Sequence, residues 1–201
     1  MTYRTNPRMD IWRKELIWAW NQALWDAPSK VLAKGEPDPQ LLLTTQLAPE
    51  LTGVNKELMM ISAYFVPGQP GLVYLTGRAD AGVSVSLLTN SLEATDVPAV
   101  HGGYAPYRKA LLEHGVKLYE LRRQPGDNYG SGPHLFYSKS YRGSDSSLHS
   151  KAMIFDGKKS FIGSFNFDPR SVLWNTEVGV LVDSPELAAH VRELALQGMA
   201  P

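Results

Sequence analysis

Residues 149–164 read HSKAMIFDGKKSFIGS, and the Asp156-Gly157 pair between two apolar runs constrains the fold more than any other feature of the chain. Asp-Gly in that setting is a strong hairpin signal, because a primed turn needs positive φ at both central residues and few residue types adopt it cheaply. The stretch therefore predicts an antiparallel strand pair, HSKAMIFD and KSFIGS. Around it, strand and helix patterns alternate. ELMMISAYFV reads as a buried strand ended by Pro67-Gly68, residues 70 to 79 as a helix, and VSVSLLTN as a second strand. GYAPYRKALLEHG reads as a helix closed by Gly115 and followed at once by the strand VKLYEL. NTEVGVLVD is a further strand, and PELAAHVRELALQG a C-terminal helix with Pro185 near its first turn. LLLTTQLAPELTGVN is expected to be helical despite Pro49. A hairpin set within this alternation gives an α/β fold, a mixed β-sheet flanked by helices.

The two remaining segments read differently. DIWRKELIWAWNQALW carries four of the five tryptophans, and Trp12, Leu16 and Trp20 fall at helical spacing, which predicts an amphipathic helix from about Pro7 to Trp25. Such a helix can pack on its own domain or lie at a lipid interface, with Trp at headgroup level and Arg13 and Lys14 near phosphates. DAPSKVLAKGEPDPQ is rich in Pro, Gly and charge and reads as a linker, so residues 1–36 form a tryptophan-rich leader and 37–201 the main domain. Residues 124 to 147 are polar and rich in Gly and Ser, a loop or a loop holding one short strand.

Composition narrows the chemistry. Twenty basic residues balance twenty acidic ones, so nothing in the bulk charge advertises nucleic acid as a partner. Without cysteine there is no disulfide or thiolate chemistry, a zinc site would need His and carboxylates only, and the five histidines show no HExxH or similar metal spacing. No apolar run reaches the length of a membrane span, and no signal-peptide pattern is visible, so a membrane is expected to be met from the surface or through a segment not present in this sequence.

On a strand, residues two apart share a face, so His149 and Lys151 project side by side. An ammonium beside an imidazole suits an anionic substrate: the lysine holds an oxyanion while the imidazole attacks or donates a proton. Phosphate fits best, with Ser164 and Asn166 as further donors beyond the hairpin. By spacing alone, such a pair is more often a solvated strand face. His101 in TDVPAVHGGY reads as a histidine in a Gly-rich loop and, with Asn90 and Ser91 at the preceding strand end, as a possible pocket. Arg170, in DPRS, is expected in a structural salt bridge rather than on lipid phosphate.

The whole pattern H-x-K-x4-D-x6-G-S-x-N resembles the HKD motif of the phospholipase D superfamily and is filled at every position by His149, Lys151, Asp156, Gly163, Ser164 and Asn166. ISAYFVPG, VSLLTNSLEATDVPAVHGGYAPYR, LLEHGVKLYELR and FIGSFNFDPRSVLWNTEVGVLVDSPELA further resemble the C-terminal half of bacterial phospholipase D-type cardiolipin synthases, with Ala63 a departure where proline is expected. The resemblance implies one phospholipase D-like half-domain. It implies His149, Lys151, Asn166 and Glu177 as catalytic residues, the last as the histidine's carboxylate partner. Gly163 and Ser164 support phosphate, and Asp156 is chiefly structural.

It implies, further, a phosphatidyltransferase that makes cardiolipin through a phosphohistidine, without cofactor, peripheral on the inner membrane of the bacterial cytoplasm. The second-half histidine is usually the general acid/base there, an assignment carried to His149. Because the superfamily mechanism uses two motifs and this chain holds one, the second half-site comes from a missing N-terminal half or from a homodimer. A homodimeric phosphodiesterase or nuclease of the same superfamily and a non-catalytic half-domain are the alternatives.

Overall fold

The computed structural model describes residues 16–122, 137–139 and 146–200. In chain order, the strands are β1 (Trp20–Trp25), β2 (Glu57–Ser62), β3 (Ser84–Asn90), β4 (Lys117–Leu121), β5 (Tyr137–Lys139), β6 (Ser146–Leu148), β7 (Lys151–Phe155), β8 (Lys159–Gly163) and β9 (Val178–Asp183). The helices are α1 (Leu43–Gly53), α2 (Gly68–Asp80), α3 (Pro98–Tyr104), α4 (Arg108–Glu113), α5 (Pro169–Leu173) and α6 (Pro185–Met199). Seven strands form one sheet in the order β1-β9-β8-β7-β2-β3-β4, and β5 pairs with β6 apart from it. β2, β3 and β4 are parallel, joined through α2 and then α3–α4, while the β1, β9, β8, β7 and β2 neighbours are antiparallel. The mixed α/β sheet expected from the sequence is the fold observed.

Its centre is the hairpin. Asp156 and Gly157 have φ of 53° and 65°, and Lys158 N–H donates to the Phe155 carbonyl at 3.0 Å, as the Asp-Gly signal requires. Alternation then sorts the side chains. Met60, Leu87, Met153, Phe155 and Phe161 face one buried cluster together with α1, α2 and α4, whereas Met59, Ile61, Leu88 and Ile154 meet Ala188, Val191 and Ala195 of α6. At its last residue β8 comes very close to β9. A Cβ on Gly163 would strike the Val178 carbonyl oxygen and stand 2.6 Å from Gly179 Cα, and one on Gly179 would strike the Phe161 ring.

The amino-terminal expectation needs correcting. Residues 1–15, including Trp12, Arg13 and Lys14, lie outside the described residues, but Trp20–Trp25 is an edge strand paired antiparallel with β9, not the end of a helix. Without it β9 would carry a free row of backbone N–H and C=O groups, and Leu24 would lose its place in the core, where it is fully buried. The helical spacing of the tryptophans is thus overridden by tertiary pairing. The expected linker is also ordered: Pro28–Leu32 and Pro39–Leu41 are 3-10 turns. Lys30 is buried there against Asp26 at 2.8 Å. The sheet therefore draws a strand from either side of residue 36.

Candidate active site

Lys151 opens β7 directly opposite Ser62, the last residue of β2, and the register of β7 on β8 and β8 on β9 brings the chain after Gly163 and before Val178 to the same end. His149, Lys151, Ser164, Asn166 and Glu177 therefore meet at one end of adjacent strands. Lys151 shares its face with Met153 and Phe155, so its chain runs along the core layer and is buried, though less completely than theirs. Its Nζ donates to the His149 carbonyl at 2.6 Å and lies 5.9 Å from the centre of the Tyr64 ring. Desolvation is the largest influence on this ammonium and pulls its pKa below the ordinary lysine value, against the opposing pull of Glu177, Asp96 and Asp168. A partly desolvated ammonium has few water contacts to give up when it meets an anion, while the nearby carboxylates favour keeping it charged.

Asn166 is buried, and its orientation is fixed without ambiguity: Tyr64 N–H donates to the side-chain oxygen at 3.0 Å, so the amide NH2 is the end left to meet substrate. The two chain segments that flank it are stitched together. Val66 N–H donates to the Phe167 carbonyl at 2.9 Å, Phe167 N–H donates to Ser62 Oγ at 3.0 Å, and Ser62 Oγ donates to the Tyr64 carbonyl at 2.6 Å. Ser164 Oγ donates to Glu177 Oε2 in a short hydrogen bond and accepts from Val178 N–H at 3.1 Å. Glu177 is buried, and its own backbone N–H donates to Asp26 Oδ2 at 2.8 Å.

The His149 side chain is exposed, and its ring has no hydrogen-bond partner among the described residues. The expected carboxylate contact with Glu177 is therefore not made in this state; the carboxylate holds Ser164 instead. Asp156 stands at the far end of β7, about 17 Å away by strand rise. Its Oδ1 accepts from the backbone N–H groups of Asn55, Lys56 and Glu57 at 3.1, 2.7 and 3.0 Å. Desolvation, the largest single influence, pushes its pKa up, yet those three donors together hold it below the usual carboxylate value. The residue organises the chain entering β2 and is remote from the chemistry.

Asn90 does not open into a pocket. Its NH2 donates to the Ala63 and Leu148 carbonyls at 3.1 and 3.0 Å, and its oxygen accepts from Leu148 N–H at 2.9 Å. It fixes the residue just before His149 to β2 and β3. His101 belongs to α3 rather than to a loop, a correction that follows from Pro98 setting the first turn of a short helix. It does line an open depression of about 630 Å³ with Ser91, Arg108, Glu120 and Arg122, and its Nδ1 is buried without a partner among the described residues. Arg170 is exposed and joins no ion pair among the described residues, against the expected salt bridge; its neighbour Asp168 instead caps α5, accepting from Arg170 and Ser171 N–H at 2.7 and 3.0 Å. No described group of side chains could hold a metal ion, and no described helix is long and apolar enough to cross a membrane.

Sequence reasoning missed Tyr64, Ser62, Asp26 and Asp168. Only Asp168 carried a local signal, since Asp-Pro opening a helix is an N-cap pattern.

Comparison with known proteins bears on the family and the fold. Residues 47–197 match the family described as cardiolipin synthase, PLD-like domain. Cardiolipin synthase C of Escherichia coli K12 is 42% identical over 183 residues, which is 90% of this chain and 37% of that protein. The chain thus spans little more than a third of that relative. Among solved structures, the phospholipase D family member Nuc from Salmonella typhimurium aligns at a TM-score of 0.59 and 16% identity, over 88% of this chain and 91% of its own. The phosphatidylserine synthase of Haemophilus influenzae aligns at 0.61 and 17% identity, over 89% of this chain and 38% of its own.

Proposed function

Since the chain belongs to the cardiolipin synthase PLD-like domain family of the phospholipase D superfamily, we propose that it supplies one of two half-sites of a phosphatidyltransferase that makes cardiolipin from phosphatidylglycerol and a phospholipid alcohol. The observation that carries the reading is the convergence of a buried, desolvated Lys151 and an Asn166 amide of fixed orientation on the strand end that bears His149.

In the proposed reaction, the phosphodiester oxygens lie against Lys151 Nζ and the Asn166 NH2, which offset the charge that builds on phosphorus. The histidine of the second half-site attacks phosphorus, the ester bond to glycerol breaks, and His149 as imidazolium gives its proton to the leaving alkoxide. His149, now neutral, takes the proton of the acceptor hydroxyl, whose oxygen attacks the phosphohistidine and regenerates the free histidine. Glu177 orients and stabilises the imidazolium when His149 turns inward, with Ser164 holding the carboxylate in place. The proposal places the chain at the cytoplasmic surface of the inner membrane of a bacterium, on anionic phospholipid.

The test is transfer on mixed vesicles of phosphatidylglycerol, with the chain supplied alone and together with the N-terminal half of a cardiolipin synthase relative. Cardiolipin formed by the reconstituted pair, with the phosphoryl adduct trapped on the partner half, is the expected result. Hydrolysis of a nucleic-acid phosphodiester by a dimer of the chain, with no lipid turnover, would favour the homodimeric phosphodiesterase of the same superfamily. A covalent adduct on His149 itself would reverse the roles of the two histidines.

A further inference from the structure

Tyr64 meets both phosphate-binding side chains, and nothing in the motif pattern accounts for it. It leaves β2 two residues after Ser62, where the chain turns from the sheet. Its backbone N–H holds the Asn166 oxygen at 3.0 Å, its ring lies 5.9 Å from Lys151 Nζ, and its hydroxyl donates to both oxygens of Asp96 at 3.0 and 2.9 Å. The ring separation is at the outer limit for attraction between a cation and a ring face. Burial first, and then the Asp96 carboxylate, push the Tyr64 hydroxyl up to about 12, so it stays a donor throughout the working range. Asp96 is exposed and belongs to the segment between β3 and α3, so the Tyr64–Asp96 bond ties that segment to the site.

We propose that Tyr64, latched at its hydroxyl by Asp96, is a positioning residue that sets the geometry of Lys151 and Asn166 for phosphate. The inference rests on the reading of those two side chains as phosphate ligands. The reasoning is mechanical. Between Ser62 and Val66 the chain has left the sheet, and the latch is the tether at its outer side. Loss of the tether leaves the Tyr64 peptide held by its backbone bonds alone, and the amide NH2 of Asn166 is then aimed less tightly. The ring, in turn, is one wall beside Lys151 Nζ, and burial is the largest influence lowering that ammonium's pKa.

An alternative role for Asp96 is purely electrostatic, and the two roles predict opposite signs. As a charge alone, Asp96 repels an anion beside Lys151, so D96A would tighten phosphate. As the latch, its removal loosens phosphate although a like charge has gone.

The experiment is an NMR titration of the whole chain with inorganic phosphate, comparing wild type, Y64F and D96A. The signals followed are the Asn166 side-chain amide and 13C-methylated lysine, with Lys151 identified by its loss in K151R. Both variants are expected to weaken phosphate about threefold to tenfold, the range covered by one hydrogen bond. Both should shift the Asn166 amide in the free protein, and Y64A should raise the Lys151 pKa as water enters. Tighter or unchanged phosphate binding in D96A, or an unmoved Asn166 amide in Y64F, overturns the positioning role. If wild type shows no response to phosphate at Lys151 or Asn166, the phosphate reading fails. The free-protein signals then still decide the positioning: a shifted amide and a raised Lys151 pKa support it, and unmoved ones sink it. Should Y64A fail to fold, Y64F and D96A carry the test, since one loses only a hydroxyl and the other changes an exposed side chain.

Discussion

At the scale of single residues, environment separates groups that the motif strings together. Lys151 and Asn166 are buried and oriented at the site, His149 is exposed beside them, and Asp156 is committed to three backbone donors at the other end of β7. D156A is therefore expected to cost stability, about 1–3 kcal/mol from the loss of charge-assisted hydrogen bonds, while H149A leaves the melting curve unchanged and removes turnover in the paired enzyme. Denaturant unfolding and the vesicle assay on both variants check the contrast; equal stability would remove Asp156 from its structural role. The pH dependence has a definite sign. The Asp156 pKa is lower in the folded protein than in the unfolded chain, so its stabilisation is complete above the ordinary carboxylate value and is lost as pH falls through the depressed folded value. The acid limb of the stability profile should thus shrink in D156N. Lys151 works in the opposite range: its lowered pKa means phosphate binding should fade on the alkaline side earlier than an ordinary lysine would allow, and a phosphate titration against pH reads this.

At the scale of elements, what was legible in the sequence was what local chemistry decides. Asp156-Gly157 specified the hairpin, Gly115 closed α4, and Pro185 opened α6, each because few backbone conformations suit those residues. The six motif positions were legible through their resemblance to the HKD pattern, since spacing alone left His149 and Lys151 as a solvated strand face. What was not legible depends on partners far away in the chain. β1 exists because β9 needs an edge partner, and the supposed linker is ordered because Lys30 donates to Asp26 at 2.8 Å and to the Ser171 carbonyl at 2.9 Å. Asp26 in turn accepts from Leu43 and Glu177 N–H at 2.6 and 2.8 Å, so this pair reaches the backbone of a candidate catalytic residue. Tyr64 was hidden for the same reason, since its partners Asp96 and Asn166 lie 32 and 102 residues on. K30M leaves Asp26 as a buried unpaired charge and is expected to destabilise by about 3–5 kcal/mol. Calorimetry gives the size, and K30M combined with D26N should recover part of the loss, because it removes the stranded charge while keeping a side-chain oxygen for a backbone N–H; no recovery would mean that the backbone bonds of Asp26, rather than its charge pairing, set the cost. G163A tests the β8–β9 approach: its Cβ meets backbone, which cannot step aside as a flexible side chain does, and a loss of about 1–3 kcal/mol is expected.

At the scale of the whole molecule, the chain holds a single copy of the motif, and the proposed reaction takes two histidines, one bonded to phosphorus while the other moves protons. One imidazole cannot serve both roles at once, because the nucleophile is tied up in the phosphoryl bond when the acceptor hydroxyl must be deprotonated. Turnover should therefore depend on association. With light scattering and the vesicle assay run on the same samples, the chain is expected to form no cardiolipin at concentrations where its mass is that of a monomer. Activity should appear with a second motif-bearing half, and H149A should then be silent whatever the amount of partner. If two copies of this chain could complete the site, the specific activity would climb with concentration in step with the dimer fraction. If only a companion half can, it would stay at zero across the series and rise to saturation as that half is added. Full turnover by a strictly monomeric chain would mean that His149 acts without a second histidine, and the paired-site account would have to be abandoned.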